Sequence, residues 1–155
     1  MKLISQLLFF AFLAISINAC KTSKDATSSK KTTMENSVTE KYWKLIELNG
    51  NPVVVNKDLG KEPHLILKKE DSRIQGTGGC NTFTGGYELN ETLSRISFKQ
   101  VVSTMMACMD MTIETELLRA LNSVDNYTLS ADGNTLSLNK ARMAPLARFE
   151  AVYMK

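Results

Sequence analysis

Three cysteines, one histidine and eight methionines are the side chains of this 155-residue chain whose types invite chemistry. Cys20 ends an apolar leader, which leaves Cys80 and Cys108 as an even pair. Three states are open to that pair: a structural disulfide, which an oxidising compartment favours, two reduced neighbouring thiols, or a redox-active couple. A disulfide would close a loop of about 28 residues and add roughly 3–4 kcal/mol on the chain-entropy account. Redox activity needs a depressed thiol pKa. The pair lacks Cys-x-x-Cys spacing and no helix start follows Cys80, so Cys108, just ahead of a predicted helix, would be the more reactive thiol. His64 follows Pro63 in a predicted strand and reads as a surface or edge side chain. With Cys80 and Cys108 it makes only three metal donors, and Asp110 or water would have to be the fourth. No metal site and no cofactor are expected. One histidine without a nucleophile turn gives no Ser/His/Asp set, so no catalytic residue is expected either.

Two further clusters stand out. Gly76, Gly78, Gly79, Gly85 and Gly86 surround Asn81 and Phe83. No helix follows them as in a dinucleotide fingerprint, and they read as permitting bulges, corners and close backbone approach. Met105, Met106, Met109 and Met111 crowd the approach to the helix. Their expected use is as core filler. Standing in solvent beside Phe83 and Tyr87, Met105 and Met106 would instead form a candidate contact surface.

Short strands and one helix must position these residues. Strands are predicted over 42–48, 64–67, 73–76, 86–89, 93–98, 127–130, 135–138 and 146–153, with turns at Asn49-Gly50-Asn51-Pro52, Asn90-Glu91-Thr92 and Ala131-Asp132-Gly133-Asn134. Ile113, Leu117, Leu118 and Leu121 recur at helical spacing over 111–121. Asp110 is the expected N-cap, and Glu114, Glu116 and Arg119 are expected on the opposite face. The sum is an α+β fold: a small β-rich roll or barrel of about eight strands with one amphipathic helix packed on it.

Ahead of this domain, Lys2 and the uncharged apolar run 3–17 have the form of an export signal, too short to span a bilayer comfortably. The tetrapeptide Ile17-Asn18-Ala19-Cys20 resembles the lipobox of bacterial lipoproteins. The resemblance implies cleavage after residue 19, a diacylglycerol thioether on Cys20 and a fatty acyl chain such as palmitate on its new amino group. Two or three chains, at about 0.8 kcal/mol per buried methylene, hold a protein almost permanently. Lys21 stands where aspartate signals inner-membrane retention in some bacteria, which favours the outer membrane and leaves its face open. Residues 20–39, the acylated cysteine and a Ser-, Thr- and Lys-rich stretch, read as a flexible tether of roughly 25 Å. Its Lys21, Lys24, Lys30 and Lys31 are available to anionic head groups. Removing Lys2 with the leader lowers the formal net charge from +3 to about +2, which argues against a nucleic-acid partner.

Residues 40–155 suffice for one core. Within them, Gly76-Thr77-Gly78-Gly79-Cys80-Asn81-Thr82-Phe83-Thr84-Gly85-Gly86-Tyr87, then Ser103-Thr104-Met105-Met106-Ala107-Cys108 and the helix with Glu114 and Leu117, resemble the META domain, the family of the heat-shock protein HslJ. So does the Trp43-Lys44-Leu45 opening. Met109 stands where many members have proline. The resemblance implies a β-rich envelope domain, often lipid-anchored, linked to heat shock and envelope stress response, and without established catalytic residues. The expectation is thus a non-enzymatic lipoprotein that binds or supports an envelope partner. The alternatives are a carrier with an enclosed apolar cavity and a thiol-active protein using Cys80 and Cys108.

Overall fold

Alternation of apolar and polar residues is the dominant local signal, and it builds a sheet. The structure, a computed structural model, describes residues 36–54, 60–142 and 144–153. The leader, Cys20 and the tether to residue 35 lie outside the described residues. Strands β1 (Tyr42–Leu48), β3 (His64–Lys68), β4 (Arg73–Thr77), β5 (Thr82–Asn90), β6 (Arg95–Ser103), β7 (Asn126–Leu129), β8 (Thr135–Asn139) and β9 (Ala147–Val152) form one antiparallel sheet, and the two-residue β2 (Asn51–Pro52) extends the turn after β1. The order is β6-β5-β4-β3-β1-β9-β8-β7. The two ends of this path nearly meet, since the Tyr127 amide at β7 donates to the Ser94 carbonyl just ahead of β6 at 3.0 Å. The helix α1 (Thr112–Ser123) packs on β6 and touches β1. Among the described residues, the observed fold is the expected α+β barrel with one helix packed on it.

One face of every long strand is apolar, and these faces fill the interior. Trp43, Leu45, Leu65, Leu67, Ile74, Ile96, Leu136, Leu138 and Phe149 are buried there together with Leu117 and Leu121 of α1. Trp43 also donates its indole N–H to the Val38 carbonyl at 2.8 Å. Val38 and Thr39 are themselves buried. Val38 and Thr39, expected outside the domain, therefore belong to it.

Two bulges break the period-2 pattern. In β1 the register against β9 shifts between Leu45 and Glu47, so Ile46 is the extra residue and Leu48 rather than Glu47 faces the core. In β6 the register against β5 shifts opposite Thr84 and Gly86, and Gln100 adopts a φ of 48° there. Ile96 and Phe98 face inward. Past the bulge the parity inverts: Val101 packs on the core and Val102 turns out to solvent.

Strand ends moved where hydrogen bonds from distant segments were available. β5 begins at Thr82, inside the glycine-rich stretch, because Thr82 pairs with Thr77 across β4. β6 begins at Arg95 and continues to Ser103. Leu93, read as strand, is exposed in the preceding turn, where its amide donates to the Asn90 side chain at 3.0 Å.

Candidate functional site

Asn81 is fully buried between two segments far apart in sequence, and its polar atoms join them. Its side-chain Oδ1 accepts the Met106 amide at 2.7 Å and the Thr104 hydroxyl at 2.8 Å. Its Nδ2 donates to the Met106 carbonyl at 3.3 Å. The Asn81 amide donates to the Glu114 carboxylate at 2.7 Å, and its carbonyl accepts the Thr77 hydroxyl at 2.7 Å. The Thr77 hydroxyl oxygen in turn accepts the Gly79 amide at 3.1 Å. One asparagine thus binds the β4–β5 loop, the segment after β6 and α1 to one another. The Cys80–Cys108 disulfide ties the same two segments covalently, with Cα atoms 6.4 Å apart. Of the states open to these cysteines, the bonded one is observed.

Glu114 corrects the helix reading. Expected on the solvent face, it is 3% exposed. It lies one turn ahead of Leu117 and two ahead of Leu121, on the stripe those leucines define, and that spacing was legible. What spacing did not reveal is the buried donor that a carboxylate there requires. Gly78 completes the arrangement: a Cβ on it would come within 2.5 Å of the Glu114 Cα. Gly76 plays the same part in the sheet, where a Cβ would strike the His64 carbonyl and the Phe83 ring. These glycines serve close packing, as the sequence reading favoured.

The helix start differs in detail. The N-cap position is Met111, which makes no side-chain cap. Asp110, one residue earlier, accepts the Thr112 amide at 2.8 Å. That bond holds the Asp110 carboxyl below its ordinary pKa.

The structure divides the proposed contact surface. Phe83 and Tyr87 alternate inward along β5 and are buried, and the Tyr87 hydroxyl donates to the Lys68 carbonyl at 3.1 Å. Burial raises the Tyr87 pKa. Neither ring belongs to an accessible patch. The methionines do. Met105 is 96% exposed, Met109 97%, Met106 52% and Met111 37%. They are not core filler, and Asn81 holds the Met106 backbone where it stands. Met105, Met106 and Met111 form an apolar lip along one groove. A surface groove of about 410 Å³ runs between this lip and α1, lined by residues 103–107, Met111, Glu114, Thr115 and Leu118.

His64 sits apart in function. Its ring stacks on Tyr42 with centroids 4.3 Å apart, and Nδ1 lies 2.9 Å from the Glu62 carbonyl, where its N–H donates. Its strand is internal to the sheet, between β1 and β4, so the edge expectation does not hold. Among the described residues, no three His, Cys, Asp or Glu side chains converge as metal ligands.

Comparison with known proteins places this arrangement. No curated protein matches the chain. A protein from Burkholderia xenovorans solved by NMR shares the fold, with a TM-score of 0.61 and 24% identity over 76% of this chain and 85% of that one. A crystal structure of a DUF4847 family protein from Bacteroides vulgatus aligns more distantly, with a TM-score of 0.48 and 14% identity over 76% and 95%. The META domain family model matches residues 36–153, which include Val38, the glycine–cysteine–asparagine loop, the methionine lip and α1. The chain belongs to the META domain family.

Proposed function

We propose that this protein is a lipid-anchored component of the bacterial cell envelope, at the outer membrane, whose META domain is a non-catalytic binding module with an accessory role in envelope stress tolerance. One observation carries the binding role: the apolar lip of Met105, Met106 and Met111 stands in solvent along one groove, on a segment that Asn81 and the disulfide tie to the β4–β5 loop. Apolar side chains presented together on a rigid base suit docking to an envelope protein, and thioether side chains adapt to a partner's contour. The groups beside the lip that have chemical potential are engaged in holding the domain. Glu114 accepts the Asn81 amide, and Cys80 and Cys108 are bonded to one another. The anchor rests on the export leader and the lipobox-like tetrapeptide ending at Cys20.

A photo-crosslinking amino acid in place of Met105, irradiated in intact envelopes, tests the lip. A discrete adduct is expected, and it should disappear with Met106→Lys. Adducts spread over many proteins and indifferent to that change would defeat the docking role. A turnover activity abolished by one polar substitution would defeat the non-catalytic reading.

A further inference from the structure

Four of the eight methionines of the chain fall within residues 105–111, and three of them, Met105, Met106 and Met111, border one groove. Thioether sulfur is a soft, neutral, polarisable donor that selects soft metal ions. We propose that this groove is a binding site for a soft monovalent metal ion, Cu(I) or Ag(I), held by the thioethers of Met105, Met106 and Met111.

Four observations support the assignment. All three side chains reach solvent, so an ion can arrive without opening the core. Asn81 grips both the amide and the carbonyl of Met106, so the central donor stands on a fixed backbone. Met111 sits at the N-cap position of α1, and its carbonyl accepts the Thr115 amide at 2.9 Å, which fixes the third donor relative to the helix. Finally, the thiols that would compete for a soft ion are unavailable. Cys80 and Cys108 are spent in a disulfide and supply no thiolate, and the buried Glu114 carboxylate accepts the Asn81 amide. The three methionines then add neutral thioethers to a lining that also holds Glu114 and the hydroxyls of Ser103, Thr104 and Thr115. A thioether set compensates a divalent ion poorly for its lost water and suits a singly charged, polarisable one. The inference deepens the reading of the lip as a contact surface and rests on the exposure of that lip.

The test uses the full chain carrying Cys20→Ala, in detergent with the disulfide intact, so that the remaining sulfurs are thioethers and the bridge. Silver nitrate is titrated in chloride-free buffer by calorimetry, since Ag(I) needs no reductant. Methionine methyl groups labelled with carbon-13 are followed by NMR. The expected result is saturable binding of about one equivalent, with shifts of the Met105, Met106 and Met111 methyl signals. The triple change M105L/M106L/M111L should weaken binding about tenfold or more, while M109L, outside the groove lining, should leave it within about twofold. Leucine keeps the surface apolar, so M106L/M111L with the photo-crosslinking residue at position 105 should retain the crosslinked partner even as the triple variant loses silver. That contrast separates failure of the metal site from failure of docking. Circular dichroism of the triple variant checks its fold, and the methyl shifts in the parent chain carry the test if that variant unfolds. No saturable binding, methyl shifts confined to other methionines, or affinity unchanged in a folded triple variant would overturn the proposal.

Discussion

Asn81 satisfies two donors and one acceptor across the loop junction with a single side chain, and no other residue type has that complement at that length. Asn81→Ala would take away the partner of the part-buried Met106 amide and leave the buried Asn81 site empty. The expected loss is about 2–4 kcal/mol, read from urea denaturation, since an unsatisfied buried donor costs about 1–3 kcal/mol beyond the bonds lost. Glu114→Gln keeps the shape and an acceptor oxygen for the Asn81 amide but removes the charge. A loss of about 1 kcal/mol is expected, the difference between a charge-assisted and a neutral hydrogen bond. Gly78→Ala places a methyl against the Glu114 backbone and should cost about 1–3 kcal/mol by overpacking. A Gly78→Ala variant as stable as the parent would show that α1 can withdraw from the loop, which the hydrogen bond between Asn81 and Glu114 argues against.

At the scale of elements, the disulfide and the β6 bulge matter most. Replacing Cys80 and Cys108 by serine reopens a loop spanning 28 residues. A fall of about 3–4 kcal/mol in unfolding free energy is expected on the chain-entropy account, with the fold retained because Asn81 still joins the same segments. A change under about 1 kcal/mol would mean that the asparagine junction alone holds them in the unfolded ensemble as well. The bulge at Gln100 explains why the approach to the helix is outward-facing. Extrapolated at period 2 from Ile96 and Phe98, Val102 would be buried. With one extra residue it points to solvent. An inserted residue leaves no mark in composition or hydropathy, which is why the exposed methionine lip reads as core in the sequence.

For the molecule as a whole, charge and burial predict the pH range of stability. Hydrogen bonds from the Lys69, Thr112 and Ala141 amides and from the Ser130 hydroxyl lower the carboxyl pKa values of Glu40, Asp110, Asp125 and Asp132. A lowered folded value means that the ionised form is favoured in the native state. The stability so contributed is complete above the unfolded values near 4 and is lost as pH falls through the lowered ones. Burial raises the pKa of Tyr87 and Tyr127, so their contribution is present below the unfolded value near 10 and is lost as pH rises beyond it. The midpoint of thermal unfolding should therefore be flat from about pH 5 to 9 and fall on both sides. Trp43 is the single tryptophan and is fully buried, so its emission should report that transition as one cooperative step. A cell fractionation belongs to this scale too. The precursor with Cys20→Ala should leave the membrane pellet, and wild-type sedimentation of that variant would end the anchoring account.

Much of this was determined by local sequence. Alternating apolar residues in 42–48, 64–68 and 135–138 specify half-buried strands whatever their neighbours, the Asp132-Gly133 turn specifies a hairpin, and the spacing of Leu117 and Leu121 specifies one helix with one buried stripe. The lipobox-like tetrapeptide ending at Cys20, on which the proposed anchor rests, is likewise a local feature. Tertiary structure alone decided what local chemistry leaves degenerate. Asparagine, a glutamate on the helix and an aromatic pair are each compatible with surface or interior, and the choice falls to whichever distant groups complete their hydrogen bonds or cover their area. Glu114 went inside because the Asn81 amide was there to meet it, Phe83 and Tyr87 because the pleat of β5 turned them to the core. Met105 and Met106 stayed outside, on a segment that Asn81 and the disulfide tie to the β4–β5 loop.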